Sequence, residues 1–212
     1  MPLLLQQPLE APGEWGIWSI TEPEAALREA VLLYPREIVQ LNAIRGAGRR
    51  REFLAARLLL HTMSGRGRRG ELIKDEFGKP HLTNSPFHVS ISHTHGYSAA
   101  VAHPRPCGID IQTYVPRIRR LARKFVGPAE AARLPADPAE ELTHLHLLWS
   151  AKEAVYKAYG RRQLDFREHM MIDLEHRSAE LRKDDLHETY RLTYHVNPDY
   201  VVVTVVRRTL SP

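Results

Sequence analysis

Apolar and polar residues alternate along the chain in a way that predicts the same order of elements twice. In the first half, residues 15–20 have a strand pattern, and apolar residues at helical spacing follow. The glycine-rich segment 64–71 ends these helices, and short strands come after it. The residues His-Thr-His-Gly then join two strands, which indicates a hairpin. The predicted helices are 23–33, 36–44 and 48–63, and the hairpin strands are 87–92 and 97–102.

The second half begins with another strand pattern at residues 107–112. Helical patterns follow at 117–125, 128–134 and 138–160, and strand patterns at 170–174, 188–196 and 200–207. The last two strands are separated by Asn-Pro-Asp, a sequence typical of a turn. We therefore predict an α+β fold of two similar α/β halves, residues 1–104 and 105–212, each with a strand, helices and antiparallel strands.

The charge and the cysteine content of the chain limit the partners and the cellular compartment that we expect for it. Lys and Arg number 30 against 25 Asp and Glu, and this excess favours a polyanionic partner, although solubility alone also explains it. The single cysteine, Cys107, excludes an internal disulfide and suggests a reducing compartment. The apolar runs are short for a membrane span, and the first residues lack the basic region of a signal peptide. We expect a cytoplasmic protein.

The strand pattern at 107–112 contains an aspartate between two isoleucines. Because strand side chains alternate, Asp110 and Gln112 point to one face and the isoleucines to the other. An aspartate is unfavourable within a strand, so a capped turn, an exposed face or a bound cation has to explain it. Residue type alone favours the exposed face.

The helical pattern at 149–160 carries charged residues beside aromatic ones. At about 100° per residue, Trp149, Glu153, Tyr156 and Lys157 share one side, whereas Lys152 lies at the flank. Glu153 precedes Lys157 by four residues, the spacing of a surface ion pair that contributes only ~0.3–0.5 kcal/mol. The pattern is therefore ambiguous between a stabilised helix and a site.

Two loops combine residues that suit phosphate groups. Gly78 permits a close backbone approach, Lys79 supplies a positive charge and Pro80 stiffens the chain. Ser92 and His93 lie at the end of a predicted strand, where donors can converge on a phosphate.

Other features of the sequence are less specific. The His-x-His pair formed by His93 and His95 lacks a clear third ligand for zinc. Arginine runs recur in both halves, near residues 50, 68 and 120. Such runs are mostly solvated faces, but their recurrence again favours an anionic partner.

In their order, Phe-Gly-Lys-Pro, Ser-Ile-Ser-His, Cys-Gly-Ile-Asp-Ile-Gln and the residues 147–160 resemble the 4'-phosphopantetheinyl transferases. The chain looks most like the single-chain, pseudo-twofold type that activates surfactin synthetase, over about residues 50–170. The resemblance implies the pseudo-twofold fold of that family. It also implies transfer of the phosphopantetheine arm of coenzyme A to a serine of an apo acyl or peptidyl carrier protein, which yields adenosine 3',5'-bisphosphate.

The resemblance also implies roles for individual residues. Asp110, Glu153 and Lys157 are the implied catalytic residues, and Asp110, Glu153 and Gln112 are the implied positions for Mg²⁺. The residues implied to bind coenzyme A are Arg51, Gly78, Lys79, Pro80, Ser92, His93 and Lys157. We expect the basic segment 117–125 to serve as a docking surface for an acidic carrier helix. A monomer is expected, without nucleic acid or membrane as partner.

One position departs from the family pattern. Gln112 stands where the family often has a second acid, two residues after Asp110. A carboxamide oxygen can coordinate Mg²⁺ or hold a bound water but brings no negative charge, so we predict weaker or differently selective metal binding. A catalytically inactive carrier-binding module therefore remains an alternative. A nucleic-acid-binding protein is the second one, although it leaves Asp110 and Glu153 unexplained.

Overall fold

The computed structural model describes residues 2–209, and these divide into two compact units between Pro104 and Arg105. Each unit contains one antiparallel sheet and a long helix packed against it. The predicted α+β class with two halves is therefore confirmed. Among the described residues, no helix has the length and apolar character needed to cross a membrane.

The first unit has a six-stranded sheet in the order β1-β2-β6-β5-β4-β3. Its elements are β1 (Leu3–Pro8), β2 (Glu14–Ser19), α1 (Glu24–Ala30), α2 (Pro35–Ala43), α3 (Ala47–Ser64), β3 (Leu72–Lys74), β4 (Pro80–Leu82), β5 (His88–Thr94) and β6 (Tyr97–His103). Helix α3 packs on β2, β5 and β6. The buried residues Leu59, Val89 and Ala100 lie at the centre of this contact.

The second unit has a five-stranded sheet in the order β7-β11-β10-β9-β8. Its elements are β7 (Cys107–Thr113), α4 (Ile118–Leu121), a 3-10 turn (Ala122–Lys124), α5 (Pro128–Ala131), α6 (Pro138–Tyr159), β8 (Met170–Asp173), β9 (Ser178–Lys183), β10 (Leu186–Val196) and β11 (Tyr200–Arg207). Here β7 pairs with the last strand, β11, just as β2 pairs with β6 in the first unit. The repeated order predicted from the sequence is thus present in both units.

Two strands, β1 and β9, are absent from the sequence prediction, and two helices are shorter than predicted. Strand β1 is mostly exposed and is held by pairing with β2. Strand β9 buries only Ala179 and Leu181, and its other residues have weak strand propensity, so its neighbours in the sheet determine its conformation. The predicted helix 117–125 is a short helix followed by the 3-10 turn, and 128–134 contains only the single turn of α5.

Helix α6 is long and buried along most of its second half. Asp137 caps its N-terminus by accepting hydrogen bonds from the backbone of Ala139 and Glu140, and Gly160 ends it in the left-handed conformation. Small residues on this helix, including Ala151, Ala154 and Ala158, are fully or almost fully buried. They allow the helix backbone to lie close to the sheet.

The closest approach of α6 to the sheet is at Gly108 of β7. A Cβ atom placed on Gly108 would lie 1.9 Å from the carbonyl oxygen of Ala154 and 3.0 Å from the backbone nitrogen of Ala158. These neighbours are backbone atoms of a helix, so they cannot move aside as a side chain would. Gly108 is therefore required for the contact between α6 and β7.

We predict that Gly108→Ala lowers the free energy of unfolding by at least ~3 kcal/mol, because the added methyl group forces α6 away from β7. The matched control is Gly127→Ala in the same unit, where the nearest neighbour of the added Cβ would be 3.5 Å away. Urea unfolding of both variants measures the difference. Equal stability of the two variants would show that the contact at Gly108 is not a constraint.

Candidate active site

Asp110 is buried at the contact between β7 and α6, with 2% of its surface exposed. Its Oδ1 atom lies 2.7 Å from Nζ of Lys157, which also donates a hydrogen bond of 3.0 Å to the carbonyl of Ile109. Nε2 of Gln112 donates to the other carboxylate oxygen at 3.0 Å. The exposed face that residue type favoured for Asp110 is therefore wrong, because α6 covers this face of the strand.

Lys157 pairs with Asp110 and not with Glu153. Across residues 2–209, the ion pair of Lys157 is the contact with Asp110, so the surface pair expected from the four-residue spacing does not form. Strand β7 supplies a carboxylate within reach of the ammonium group, and a buried charge needs such a partner more than an exposed one does.

Glu153 lies one helical turn before Lys157 and is partly buried. Burial raises the pKa of Glu153, the negative charge of Asp110 raises it further, and the positive charge of Lys157 opposes both effects. Two carboxylates therefore act on each other here, with one lysine as counter-charge. The structure brings together all four residues of the second half that the sequence suggested: Asp110, Gln112, Glu153 and Lys157.

The oxygen atoms of this site suit a magnesium ion. Within the described part of the chain, no group of three or more His, Cys, Asp or Glu side chains is arranged to hold a metal. Mg²⁺, however, is usually bound by one or two carboxylates together with substrate phosphates and water. Asp110 and Glu153 supply such a pair, and Gln112 adds a carboxamide oxygen. The donor set therefore fits Mg²⁺ in the presence of a phosphate-bearing substrate.

Lys152 has a structural environment that the sequence reading missed. It is fully buried, and its Nζ atom lies 2.7 Å from Oε2 of Glu130 and donates to the carbonyls of Phe125, Phe166 and Met170. Burial lowers the pKa of Lys152, and the charge of Glu130 opposes that shift.

Spacing in the sequence could have revealed this burial. Lys152 follows the buried Leu145 and Leu148 by seven and four residues, which places it on the apolar stripe of α6 and not at its flank. Its partner Glu130 accepts hydrogen bonds from the backbone of Gly127 and Ile172. The pair thus fixes α6 to the segments before and after it.

The loop that carries Gly78, Lys79 and Pro80 is organised by an aspartate that the sequence reading did not single out. Oδ1 of Asp75 accepts hydrogen bonds from the backbone nitrogens of Phe77 at 3.0 Å and Lys79 at 2.9 Å. Gly78 has a φ of +89°, which disfavours any residue with a side chain. Asp75 therefore positions the three residues implied to bind coenzyme A.

Ser92 and His93 end strand β5 near the beginning of α3. Ser92 is buried, and Nε2 of the exposed His93 lies 3.4 Å from Oε2 of Glu52. Arg49 also contacts His93, and Arg51 is close enough for its charge to act on Glu52. Burial raises the pKa of Glu52, whose Oε2 atom is buried without a hydrogen bond among the described residues. The sequence reading missed this acid, which lies among the basic groups implied to bind phosphate.

Comparison with family models covers both units. The model of the 4'-phosphopantetheinyl transferase superfamily matches residues 106–205, and the model of the 4'-phosphopantetheinyl transferase N-terminal domain matches residues 39–103. Together the two models span most of the chain. The chain belongs to the 4'-phosphopantetheinyl transferase superfamily. A comparison with curated proteins gave no match.

Membership makes the chain a transferase of a family that moves phosphopantetheine from coenzyme A to carrier proteins. Both models match one continuous chain, as expected for the single-chain type of transferase. The superfamily match includes β7 and α6, and therefore all four residues around Asp110.

We predict that Lys152→Met lowers the free energy of unfolding by ~3–5 kcal/mol, because it leaves the carboxylate of Glu130 buried without a counter-charge. The double variant Lys152→Met/Glu130→Gln should recover part of the loss, since it removes both charges. Urea unfolding measures both changes.

The control for this prediction is an exposed ion pair in the same unit. Arg182→Met breaks the contact of Arg182 with Glu180, whose side chains are 68% and 41% exposed, and should cost less than ~1 kcal/mol. If Lys152→Met costs no more than this control, the buried pair does not fix α6.

Proposed function

We propose that this transferase moves the phosphopantetheine arm of coenzyme A to a serine of an apo acyl or peptidyl carrier protein. The products are the holo-carrier and adenosine 3',5'-bisphosphate. The observation that supports this most directly is the pair of the buried Asp110 and the partly exposed Lys157 next to Glu153, in a chain of this family. It combines a carboxylate pair suited to a cation with a lysine suited to phosphate.

In the proposed reaction, Glu153 accepts the proton of the carrier serine. The serine oxygen forms a bond to the phosphorus of the phosphopantetheine group, and the bond from that phosphorus to the bridging oxygen breaks. The carboxylate of Glu153 is partly buried beside Asp110 and Lys157, a position that suits a base next to the reacting groups. The leaving group carries away the electron pair of the broken bond.

Lys157 neutralises the charge that develops on the bridging oxygen. Its Nζ atom has three donors, and the contacts with Asp110 and Ile109 use two of them. The ammonium group is therefore held rigidly and keeps a donor for a phosphate oxygen, as preorganised charge in a site requires.

Magnesium would be held by Asp110 and Glu153, with Gln112 as a neutral neighbour. When bound, it would neutralise negative charge on the pyrophosphate of coenzyme A. Gln112 donates its amide hydrogen to Asp110, so it orients that carboxylate in the structure without contributing charge. We propose that this orientation is the main contribution of Gln112, together with weaker metal binding than an acid would provide.

The roles implied for Arg51, Gly78, Lys79, Pro80, Ser92 and His93 remain predictions from the resemblance. The monomeric state and the docking of a carrier on residues 117–125 are predictions of the same kind, whereas the cytoplasmic location is a prediction from the single cysteine and the short apolar runs. In that segment, Arg119 already pairs with Glu141 at 2.8 Å, whereas Arg120 and Arg123 are exposed without such a contact among the described ion pairs. The last two are the better candidates for contact with an acidic carrier.

We predict that an apo carrier protein gains one phosphopantetheine in mass when it is incubated with this protein, coenzyme A and Mg²⁺. Asp110→Ala and Glu153→Ala should each slow this gain at least about a hundredfold, because each removes a carboxylate that acts on the reacting groups. Glu180→Ala, which removes a partly exposed acid from β9, should leave the rate unchanged. Intact-mass spectrometry over time measures all four proteins.

This assay, together with measurements of coenzyme A binding and of nucleic-acid retention, separates the alternatives. No mass gain with several carriers, while coenzyme A still binds, would identify an inactive carrier-binding module. No binding of coenzyme A, together with salt-sensitive retention of nucleic acid, would identify a nucleic-acid-binding protein. If Gln112→Glu leaves the magnesium dependence of the rate unchanged, Gln112 does not face the metal.

A further inference from the structure

The first unit contains a partly open cavity of about 250 Å³ at the C-terminal end of α3. It lies between that end of the helix and the end of the sheet where β2 begins and β6 finishes. Its apolar wall consists of Leu60, Met63, Leu72, Leu82, Phe87 and Ala102. Small-molecule sites usually occupy 300–1,000 Å³, so this volume suits a ligand smaller than a typical drug.

Arginines provide the charge at this cavity. Arg57 and Arg69 line it and are 3% and 8% exposed, and both pair with Glu37, which is fully buried. Burial alone would raise the pKa of Glu37, but hydrogen bonds from Arg69 and the backbone lower it below its ordinary value. Burial lowers the pKa of Arg57 to about 10, which keeps the side chain charged at neutral pH. The three buried residues therefore carry one net positive charge beside the cavity.

Arg57 and Arg69 differ in the number of N–H donors that already form hydrogen bonds. Arg69 donates to Leu32, Glu37 and Gly70 through all three of its nitrogens. Arg57 makes three hydrogen bonds within residues 2–209, to Glu37, Phe53 and Gln40. A guanidinium group has five donors, so Arg57 retains capacity for a further acceptor.

Other polar groups also line the cavity. Nδ1 of His61 is buried at its wall without a hydrogen bond among the described residues. The exposed Arg66 lies at its rim, and Glu14 is the acid of the lining, where it accepts a hydrogen bond from Gln6 at 2.7 Å. The charges of Glu14 and Arg66 cancel. The cluster of Glu37, Arg57 and Arg69 therefore leaves one net positive charge at the cavity.

This cavity is separate from the residues implied to bind coenzyme A. Arg51 is at the beginning of α3 and His61 is ten residues later, which corresponds to about 15 Å along the helix. None of Arg51, Lys79 and His93 lines the cavity. An occupant would therefore bind at the opposite end of α3.

We propose that this cavity binds a small organic anion with an apolar body, of the class of medium-chain monocarboxylates. The carboxylate faces Arg57, His61 and Arg66, and the chain contacts Leu60, Met63 and Phe87. Two arginines of the second run in the sequence belong to this site, Arg69 in the buried cluster and Arg66 at the rim. The proposal is independent of phosphopantetheine transfer and is tested without coenzyme A or a carrier.

The test is a calorimetric titration of the full chain with octanoate and, separately, with the neutral alcohol octanol. Octanoate should bind saturably and at least about tenfold more tightly than octanol, since only the acid can use the positive charge. Arg66→Gln should weaken octanoate binding several-fold. The matched control Arg68→Gln changes the neighbouring exposed arginine, which does not line the cavity, and should leave the affinity unchanged.

A second variant, Ala102→Leu, tests the location, because the larger side chain fills the cavity and should abolish binding. Circular dichroism establishes that this variant is folded, and the surface variants test the proposal in any case. Three outcomes would overturn it: no saturable binding of octanoate, equal affinity for octanol, or competitive displacement of octanoate by coenzyme A. The last would assign octanoate to the nucleotide site.

Discussion

The backbone contact between α6 and β7 is the constraint on which the second unit depends. Gly108 lets the carbonyl of Ala154 lie where a side chain would otherwise be. Asp110 follows two residues later on the strand, and Lys157 follows three residues later on the helix. The same close approach that packs the core therefore brings the carboxylate of a strand to 2.7 Å from the ammonium group of a helix. The close approach of α6 to β7 therefore explains both the core packing and the geometry of the site.

Three clusters of buried charged residues occur in the described chain. They differ in solvent exposure, and this difference indicates different roles. Glu130 with Lys152, and Glu37 with Arg57 and Arg69, are almost completely buried and join segments of the fold. In the third cluster Asp110 is buried, but the side chain of Lys157 is 26% exposed. A charged pair that is open to solvent on one side can exchange its partner for a ligand, whereas the closed pair of Glu130 and Lys152 only stabilises the fold. The cluster of Glu37, Arg57 and Arg69 keeps its internal pairs and offers only the unused donors of Arg57 to the cavity that it lines.

The sequence predicted the parts of the fold that depend on local periodicity. The long helices and the hairpin strands have strong patterns. The family motifs singled out Asp110, Glu153 and Lys157, which lie close together in the structure. The strand β9 could not be predicted, because its conformation depends on pairing with β8 and β10. The ion-pair partner of Lys157 could not be predicted either. The spacing of four residues indicates Glu153, and only the position of the neighbouring strand shows that the partner is Asp110. Lys152 is different, because its spacing from Leu145 and Leu148 in the sequence already indicates a place on the apolar stripe of α6.

The central claim is that Asp110, Glu153 and Lys157 form one phosphate-handling site. A crystal structure of the protein with coenzyme A and Mg²⁺ tests it most directly. The account predicts that Asp110 and Glu153 both coordinate the ion and that Lys157 contacts a phosphate oxygen of coenzyme A. Bound coenzyme A with no ion at the two carboxylates, and with Lys157 in contact with Asp110 alone, would contradict it.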